Sequence, residues 1–327
     1  MTGHIAAIDL GSNAIRMVVA KPDKNGLLKA LCRYRIFLNL GQDVFVRQSI
    51  SPDTEKSLVR IFLYFLSKLS EFSDIQIKAV ATSAFRDASN HEDVLNKIRV
   101  QTGIPLEIIS GQMEAHFLYS AIHALTPDLS NRVCMADLGG GSLEISLIQQ
   151  SSLIHQQSLN YGTVREISRE RIEADLHFEL QKLCSCHAWN DSTLLWTGGA
   201  SKTLLKILGL SPTSFCRTSS SGILIPVFQL EEKSAEISQL SIPERVSLWQ
   251  LREHQAIHLN QALAIIHVLI RHYGPRDVLL TSLGLKESLL LWMAHEKMPE
   301  VSWTLDMSLI KTMNMEHPSD WLTPQTS

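Results

Sequence analysis

The 327-residue sequence predicts an α/β protein of two duplicated domains, each with strands and helices in the order βββαβαβα, and with a cleft between the domains. The first observation behind this prediction is that apolar segments with strand patterning alternate with segments of helical periodicity. The second is that one stretch, an apolar strand, Asp-Leu-Gly, a turn and another apolar strand, occurs twice. The third is the chain length, which suits about two domains.

The first domain is predicted to span residues 1–124. A serine followed by proline marks the start of its first helix, and Lys24-Asn25-Gly26 supplies the turn between its second and third strands. Its elements are strands near 4–10, 14–20 and 27–35, a helix from 52 to about 72, a strand at 75–81, a helix between Asn90 and Gly103, a strand at 105–109 and a helix at 111–124.

The second domain is predicted to span residues 125–298 and to repeat this order. Three prolines between residues 210 and 250 break the pattern and indicate an insertion. The other elements are strands near 132–138, 143–149 and 153–158, a long helix at about 163–185, a strand at 194–196, a helix opened by Thr197-Gly198-Gly199-Ala200-Ser201, a helix at about 255–272, a strand at 278–280 and a helix from Gly284.

The two copies of the repeated stretch place an aspartate before a turn of small residues. Asp9 and Asp137 lie 128 positions apart (137 − 9), a spacing that suits a duplicated domain. Backbone amides in such turns can surround an anion, most often a phosphate, and an aspartate beside a phosphate indicates a divalent cation between them. A Gly-rich hairpin with a solvated aspartate fits the same residues. The turn residues are Gly11, Ser12 and Asn13 in the first copy and Gly139, Gly140, Gly141 and Ser142 in the second.

Composition argues against several classes of protein. Hydrophobic residues make up 45% of the chain and charged residues 19%, as in soluble globular proteins, and a net charge of −3 gives no general attraction for nucleic acid or anionic membranes. No apolar run approaches the roughly 18 residues of a membrane span, and no basic segment precedes the first apolar stretch. Five cysteines without a CxxC pair favour a reducing compartment. We therefore expect a cytoplasmic protein that binds neither nucleic acid nor membranes.

Six segments of the chain, in a fixed order and spacing, carry a family resemblance. They are Ile8-Asp9-Leu10-Gly11-Ser12-Asn13, residues 81–90, Ile109-Ser110-Gly111-Gln112-Met113-Glu114-Ala115, residues 137–144, Tyr161-Gly162-Thr163-Val164-Arg165 and Leu283-Gly284-Leu285-Lys286-Glu287. Together they resemble the exopolyphosphatase and guanosine pentaphosphate phosphohydrolase (Ppx/GppA) family, in a short form, whose domains have the actin-like, RNase H-like fold. The resemblance also implies that the C-terminal tail, about residues 299–327, packs on the first domain.

What this resemblance implies is hydrolysis of a terminal phosphoanhydride on inorganic polyphosphate or guanosine pentaphosphate (pppGpp). It implies that Glu114 positions and deprotonates the attacking water and that Arg86 neutralises phosphate charge. It further implies that Asp9, Asp137 and Glu144 hold Mg²⁺, which prefers oxygen ligands, while the amides of the two turns bind phosphates. A homodimer is the default expectation for such a protein.

The residues by themselves leave simpler interpretations open for these side chains. Glu114 lies near a helix start, where the helix dipole favours any acid. Arg86 also fits a solvated loop cation, and Glu144 fits the polar face of a strand.

Three other motifs point to different chemistry. The segment Thr197-Gly198-Gly199-Ala200-Ser201-Lys202 corresponds to the position at which actin-like ATPases bind adenosine, so an ATPase or kinase is the alternative enzyme. Cys184-Ser185-Cys186-His187 lacks the second ligand pair of a zinc site. His254 and His258 have metal-binding helical spacing, although a solvated helix face explains them better.

The sequence departs from the family pattern at positions near the predicted site. These departures thin the expected phosphate ligands without removing the predicted base or the metal carboxylates. A catalytically weakened protein that binds polyphosphate or the alarmone is therefore a further alternative. The departures are Ala14 in place of serine, Met113 in place of an acid, His116 in place of arginine, Leu143 in place of threonine and Lys286 in place of arginine.

Overall fold

A computed structural model of the chain describes residues 3–125, 132–183, 189, 192–210, 214–215, 222–307 and 311–315. The chain divides into two compact units. The first comprises the described residues of Met1–Leu125, Thr213–Cys216 and Leu285–Ser327, and the second those of Thr126–Pro212 and Arg217–Gly284.

The elements follow one another in the alternating order that the sequence predicts. Up to Leu125 they are β1 His4–Leu10, β2 Ala14–Pro22, β3 Leu27–Phe37, α1 Leu40–Arg47, α2 Pro52–Leu69, β4 Ile75–Ala81, α3 Ser83–Asp87, α4 His91–Thr102, β5 Leu106–Ile108 and α5 Gly111–Leu125. From Arg132 they are β6 Arg132–Leu138, β7 Leu143–Gln149, β8 Ser152–Leu159, α6 Arg169–Arg171, a π-helical segment Ile172–Leu176, α7 His177–Leu183, β9 Thr193–Gly198, α8 Gly199–Ile207, β10 Ser214–Phe215, β11 Ile223–Pro226, α9 Val227–Gln239, α10 Ile242–Trp249, α11 Glu253–Tyr273, β12 Asp277–Leu280, α12 Leu285–Lys297, β13 Thr304–Asp306 and β14 Lys311–Met315.

In the first unit the sheet has the strand order β10-β13-β3-β2-β1-β4-β5, and β14 also pairs with β3. Strand β1 is antiparallel to β2 and parallel to β4, which is parallel to β5. Helix α2 begins as the sequence predicts, because the Ser51 side chain accepts a hydrogen bond from the Thr54 amide and Pro52 occupies the first turn. It buries Phe62 and Phe65 in the core of this unit.

The sheet of the second unit has the strand order β11-β12-β9-β6-β7-β8. Its five strands β8-β7-β6-β9-β12 repeat the order and directions of β3-β2-β1-β4-β5. The elements β11, α9 and α10 lie between β9 and β12 in the chain, within the predicted insertion; residues 211–213 and 216–221 of that insertion lie outside the described residues. Helix α11 buries Leu259, Leu263 and Ile266 in the core.

One predicted helix is wrong over its first part. The sequence predicts a helix at about 163–185, but the chain forms a loop up to Ser168, whose side chain caps the helical segment that begins at Arg169. The amides of Thr163 and Val164 instead donate hydrogen bonds to the carbonyls of Gly139 and Gly140. These long-range bonds replace the local bonds of a helix, which periodicity alone cannot reveal.

Across the part of the chain that the structure describes, no helix combines the length and hydropathy that crossing a bilayer requires.

Candidate active site

The predicted site residues of the first unit lie where its parallel strands end. Strands β1, β4 and β5 run side by side, so their carboxyl ends share one edge of the sheet. Asp9 lies near the end of β1, one residue separates β4 from α3, and two residues separate β5 from α5. Carboxyl-terminal edges of α/β sheets are where ligands usually bind. This topology therefore places Asp9, Arg86 and the start of α5 at one edge.

The turn Gly11-Ser12-Asn13, here the first loop, is held by the segment that follows β3. The Gly11 amide donates to the carbonyl of Ala14, 3.2 Å away, and closes the turn. The Ser12 carbonyl accepts from the Gly41 amide at 2.7 Å, and the Asn13 carbonyl accepts from the Leu38 amide at 3.2 Å. In a trans peptide the N–H points away from the preceding carbonyl. The Asn13 amide is therefore directed away from residues 38–41.

Asp9 forms an ion pair with Arg16 across the β1–β2 hairpin. These residues are directly paired in the strand register, and Arg16 Nη1 lies 3.0 Å from Asp9 Oδ2. Asp9 is buried, so the guanidinium compensates a charge that would be costly alone. The structure thus gives Asp9 a cation from its own hairpin, and its predicted role in holding Mg²⁺ stays a prediction.

Arg86 and Glu114 belong to the same edge of the first unit. Arg86 Nη1 donates to the carbonyl of Ile109 at 2.6 Å, directly before the turn that opens α5. The Ser110 side chain accepts from the Met113 amide at 3.1 Å and caps α5. Glu114 lies buried in the first turn of that helix. The bond to Ile109 brings the Arg86 guanidinium close to the N-terminal end of α5, the helix that carries Glu114.

The turn Gly139-Gly140-Gly141-Ser142, here the glycine loop, repeats this construction in the second unit. The Gly139 amide donates to the Ser142 carbonyl at 3.0 Å, as Gly11 does to Ala14 in the first unit. Residues 161–165, here the supporting segment, follow β8 as residues 38–41 follow β3. The two turns therefore share a backbone design, which the 128-residue spacing of Asp9 and Asp137 (137 − 9) predicts.

Three successive carbonyls of the glycine loop bond to the supporting segment. The Gly139 carbonyl accepts from the Thr163 amide at 3.1 Å, and the Gly140 carbonyl accepts from the Val164 amide at 2.8 Å. The Gly141 carbonyl accepts from Arg165 Nε at 2.5 Å. Because C=O and N–H oppose each other in a trans peptide, these bonds direct the N–H groups of residues 140, 141 and 142 to the opposite side. Neighbouring N–H groups directed to one side form an anion nest.

Gly162 allows the supporting segment to approach the glycine loop this closely. A Cβ atom on Gly162 would lie 2.5 Å from the Gly140 carbonyl carbon, and closer still to the Gly140 oxygen and the Gly141 carbonyl carbon. Any other residue would force the two backbones apart.

Asp137 and Glu144 face each other across the β6–β7 hairpin. They are directly paired in the strand register, so their side chains lie on the same face of the sheet. Both are buried, and the Ser158 hydroxyl donates to Glu144 Oε1 at 2.8 Å. Two buried carboxylates on one face favour a cation between or beside them, because like charges otherwise disfavour ionisation of both.

The two hairpins therefore differ in one decisive position. Arg16 and Glu144 are equivalent residues, again 128 positions apart (144 − 16), and each pairs with the aspartate of its own hairpin. The first hairpin supplies its own cation, whereas the second presents a second acid. Oxygen donors of this kind fit a hard divalent cation such as Mg²⁺. Asp137 and Glu144 are thus the residues that could hold the metal in the second unit.

Of the five residues that depart from the family pattern, three are buried and two are exposed. Ala14 and Leu143 are fully buried at the starts of β2 and β7, and Leu143 belongs to the core of the second unit. Met113 and His116 lie on the exposed side of α5. Lys286 is buried, and its Nζ lies 2.5 Å from Glu287 Oε1 in the first unit.

The three other motifs of the sequence analysis are the segment of residues 197–202, the histidine pair on α11 and the cysteine motif. Gly198 has a φ of 100°, and a Cβ there would lie 3.0 Å from Asp137 Oδ1, so α8 begins directly beside this aspartate. His254 and His258 lie on α11 with ring centroids 6.0 Å apart, and burial lowers the pKa of His258. The motif Cys184 to His187 lies outside the described residues.

Sequence reasoning assigned no role to three residues that shape these turns. Arg16 compensates Asp9, Gly162 permits the close approach, and Arg165 bonds the Gly141 carbonyl. Aligning the two halves with a shift of 128 residues (144 − 16) would have set Arg16 against Glu144 and shown the difference. No local pattern indicates the other two, because their contacts join segments about 20 residues apart in sequence.

A family model and several solved structures match this chain over most of its length. The model of the Ppx/GppA phosphatase family matches residues 18–297, well over half of the chain. The crystal structure of a Ppx/GppA family member from Aquifex aeolicus is 21% identical, with a TM-score of 0.75 over 90% of this chain and 99% of that one. The crystal structure of an exopolyphosphatase from Cytophaga hutchinsonii is 18% identical, with a TM-score of 0.76 over 90% of this chain and 98% of that one.

At these identities the two structures show a shared fold, and the predicted α/β class with a duplicated arrangement of strands is confirmed by the repeated strand order of the two sheets. The family match begins at Val18, within β2, and includes the hairpin of Asp137 and Glu144 in full. The chain therefore belongs to the Ppx/GppA phosphatase family.

Proposed function

We propose that this protein is a Mg²⁺-dependent phosphohydrolase that releases the terminal phosphate of inorganic polyphosphate, of pppGpp, or of both. Family membership supports phosphatase chemistry on polyphosphate-type substrates. The observation that carries the proposal is the facing pair of buried acids, Asp137 and Glu144, at the ends of the glycine loop. A metal-dependent phosphate site needs this combination of carboxylates and amide donors.

In this proposal the second unit binds phosphate and metal. The N–H groups of Gly140, Gly141 and Ser142 bind phosphate oxygens, and Asp137 and Glu144 hold Mg²⁺ directly or through its waters. Mg²⁺ supplies neutralisation of the phosphate charge when it is bound. The three hydrogen bonds from the supporting segment hold the amides in place before substrate arrives. Preorganised donors of this kind stabilise developing charge without reorganisation during the reaction.

The first unit supplies the proton acceptor. Glu114 positions a water molecule and takes its proton as the water attacks the terminal phosphorus. The bond from that phosphorus to the bridging oxygen breaks, and the oxygen leaves with the shortened polyphosphate or nucleotide. Arg86, held at the start of α5 by its bond to the Ile109 carbonyl, neutralises charge on the transferred group. The Asn13 amide and the Ser12 hydroxyl, which lies 3.0 Å from the Ser83 hydroxyl, bind further phosphate oxygens.

The test measures inorganic phosphate released from long-chain polyphosphate, short polyphosphates and pppGpp, with Mg²⁺ and with EDTA. We expect release that requires Mg²⁺ and is lost in Glu114→Gln, which removes the proton acceptor while preserving size. Glu107→Gln is the matched control, because Glu107 lies on β5 of the same unit and forms a surface ion pair with Lys78. It should leave the rate unchanged.

Three outcomes would redirect the proposal. Turnover by Glu114→Gln at the wild-type rate would show that the base is another residue. Rapid ATP hydrolysis, or transfer from ATP to a sugar, would favour the ATPase or kinase alternative. Binding of polyphosphate or pppGpp in calorimetry without phosphate release would identify a catalytically weakened binding protein.

A further inference from the structure

We propose that Gln261 on α11 is a positioning residue for the glycine loop, acting through the carbonyl of Gly162. This inference rests on the proposed function, since it concerns the phosphate site of that function. The side-chain amide of Gln261 donates to the Gly162 carbonyl at 2.6 Å, across 99 residues of sequence. A carbonyl only accepts, so the amide nitrogen of Gln261 is the atom that faces it.

The Gly162 carbonyl accepts two hydrogen bonds. The Arg165 amide donates to it from within the supporting segment at 3.1 Å, and Gln261 donates from the helix. The first bond closes the turn of the supporting segment. The second ties that turn to a 21-residue helix whose apolar face forms part of the core of the second unit. Gln261 thus connects a loop to a rigid element.

This connection reaches the phosphate-binding amides in two steps. Gln261 fixes Gly162, whose backbone lies against Gly140 and Gly141 so closely that no side chain fits. The next residues of the supporting segment, Thr163 and Val164, then bond the carbonyls of the glycine loop. Those carbonyls set the directions of the adjoining N–H groups. Gln261 therefore helps to fix the direction in which the N–H groups of residues 140, 141 and 142 point.

The test compares Gln261→Leu, Gln261→Glu and the wild type. Leucine removes the donor at similar size. Glutamate places a carboxylate against a carbonyl oxygen at neutral pH, but its protonated form at lower pH donates a hydrogen bond again. We expect KM to rise about five- to tenfold in Gln261→Leu, as expected for the loss of one hydrogen bond, with a smaller change in kcat. The KM of Gln261→Glu should approach that of the wild type as the pH falls from 8 to 5.

Gln255→Leu is the matched control on the same helix. The Gln255 side chain donates to the Thr203 hydroxyl at 3.4 Å and accepts from the Arg252 amide at 3.0 Å, and neither partner belongs to the supporting segment. Its loss should lower the unfolding temperature and leave KM unchanged. A general weakening of α11 would affect KM in both leucine variants alike, and that result would overturn the positioning role.

Hydrogen exchange separates this inference from the proposed function. Exchange of amides in residues 161–165 should become about five- to tenfold faster in Gln261→Leu than in the wild type, whether or not either protein releases phosphate. Unchanged exchange would overturn the inference even in an active enzyme. Faster exchange in a protein that neither binds nor hydrolyses polyphosphate would support the connection and reject the proposed function.

Discussion

Gly162→Ala should damage the proposed phosphate site through one methyl group. The added Cβ would lie 2.5 Å from the Gly140 carbonyl carbon, whereas real Cβ contacts below 3.0 Å essentially never occur. The backbones must therefore separate by at least 0.5 Å (3.0 − 2.5). Because all the close neighbours are backbone atoms, no flexible side chain can absorb this shift. The φ of Gly162 is not positive, so the effect is steric rather than a loss of conformational freedom.

The cost can be worked from these contacts. A 0.5 Å separation (3.0 − 2.5) would lengthen the 2.8 Å bond from the Val164 amide to the Gly140 carbonyl beyond the usual range for N–H···O bonds. Overpacking of this size destabilises proteins by about 1–3 kcal/mol, and a lost hydrogen bond adds about 1 kcal/mol. We expect the second unit to lose about 2–4 kcal/mol of unfolding free energy. The displaced amides should also raise KM for polyphosphate.

Urea titration and steady-state phosphate release measure the two effects. Gly103→Ala is the control, since Gly103 ends α4 with a φ of 67° and has nothing within 4 Å of a Cβ. Alanine there should cost about 1 kcal/mol of stability from left-handed strain and leave KM unchanged. A Gly162→Ala protein with wild-type stability and wild-type KM would refute the reasoning, because it would show that the two backbones separate freely.

The remaining predictions concern charge. Arg16→Leu should lower the unfolding free energy by about 1–3 kcal/mol in urea titration, because it leaves the buried Asp9 carboxylate without its ion pair. Glu144→Gln should raise the Mg²⁺ concentration for half-maximal phosphate release about tenfold or more, because it removes one of the two carboxylates proposed to hold the metal. His272→Phe should reduce the loss of stability that occurs below about pH 6.5. Burial, and then the nearby His177, lower the pKa of His272 in the folded protein, so the unfolded chain binds this proton more readily. Stability therefore falls as the pH drops from about 6.5 towards the lowered pKa, by at most about 1.4 kcal/mol per pH unit for this one group.

Each of these predictions has a matched control or a contradicting result. Arg16→Lys keeps the charge and should recover most of the stability lost in Arg16→Leu; equal stability of all three proteins would mean that the ion pair contributes nothing. Phosphate release by Glu144→Gln with the wild-type Mg²⁺ requirement would remove this residue from the metal site. For the histidine, an unchanged pH slope in His272→Phe would assign the acid sensitivity to other groups, such as His258 and His267, whose pKa values burial also lowers.

Much of the fold could be predicted from the sequence because its signals are local. Apolar runs place β1 and β2 closely, alternation of apolar residues places β4, and the serine and proline before Asp53 mark the start of α2. The repeated Asp-Leu-Gly stretch predicts the duplication, and the repeated turn bonds of Gly11 and Gly139 agree with it. Short helices such as α1 and α3 were not predicted, since five to eight residues carry too little periodicity.

The candidate site could be predicted in part. The identities of Asp137, Glu144 and the glycine loop follow from motif and resemblance. That Asp9 already has a cation beside it follows from strand register, which pairs residues that are seven positions apart in the chain. Register depends on the whole hairpin and its neighbours, so the spacing alone could not assign Arg16 this role.

What the sequence by itself determined is the chemistry available at each turn: small residues, an acid at each strand end, and the same plan used twice. Only the tertiary structure decided which carbonyls accept hydrogen bonds from the amides of residues 163 and 164. Helical periodicity predicted that they bond locally, yet they bond to the carbonyls of Gly139 and Gly140. A backbone amide can satisfy its hydrogen bond in either way, so the choice depends on the close packing of Gly162 against Gly140 and Gly141 and on the hydrogen bond from Gln261. Both contacts join this segment to residues that lie far away in sequence.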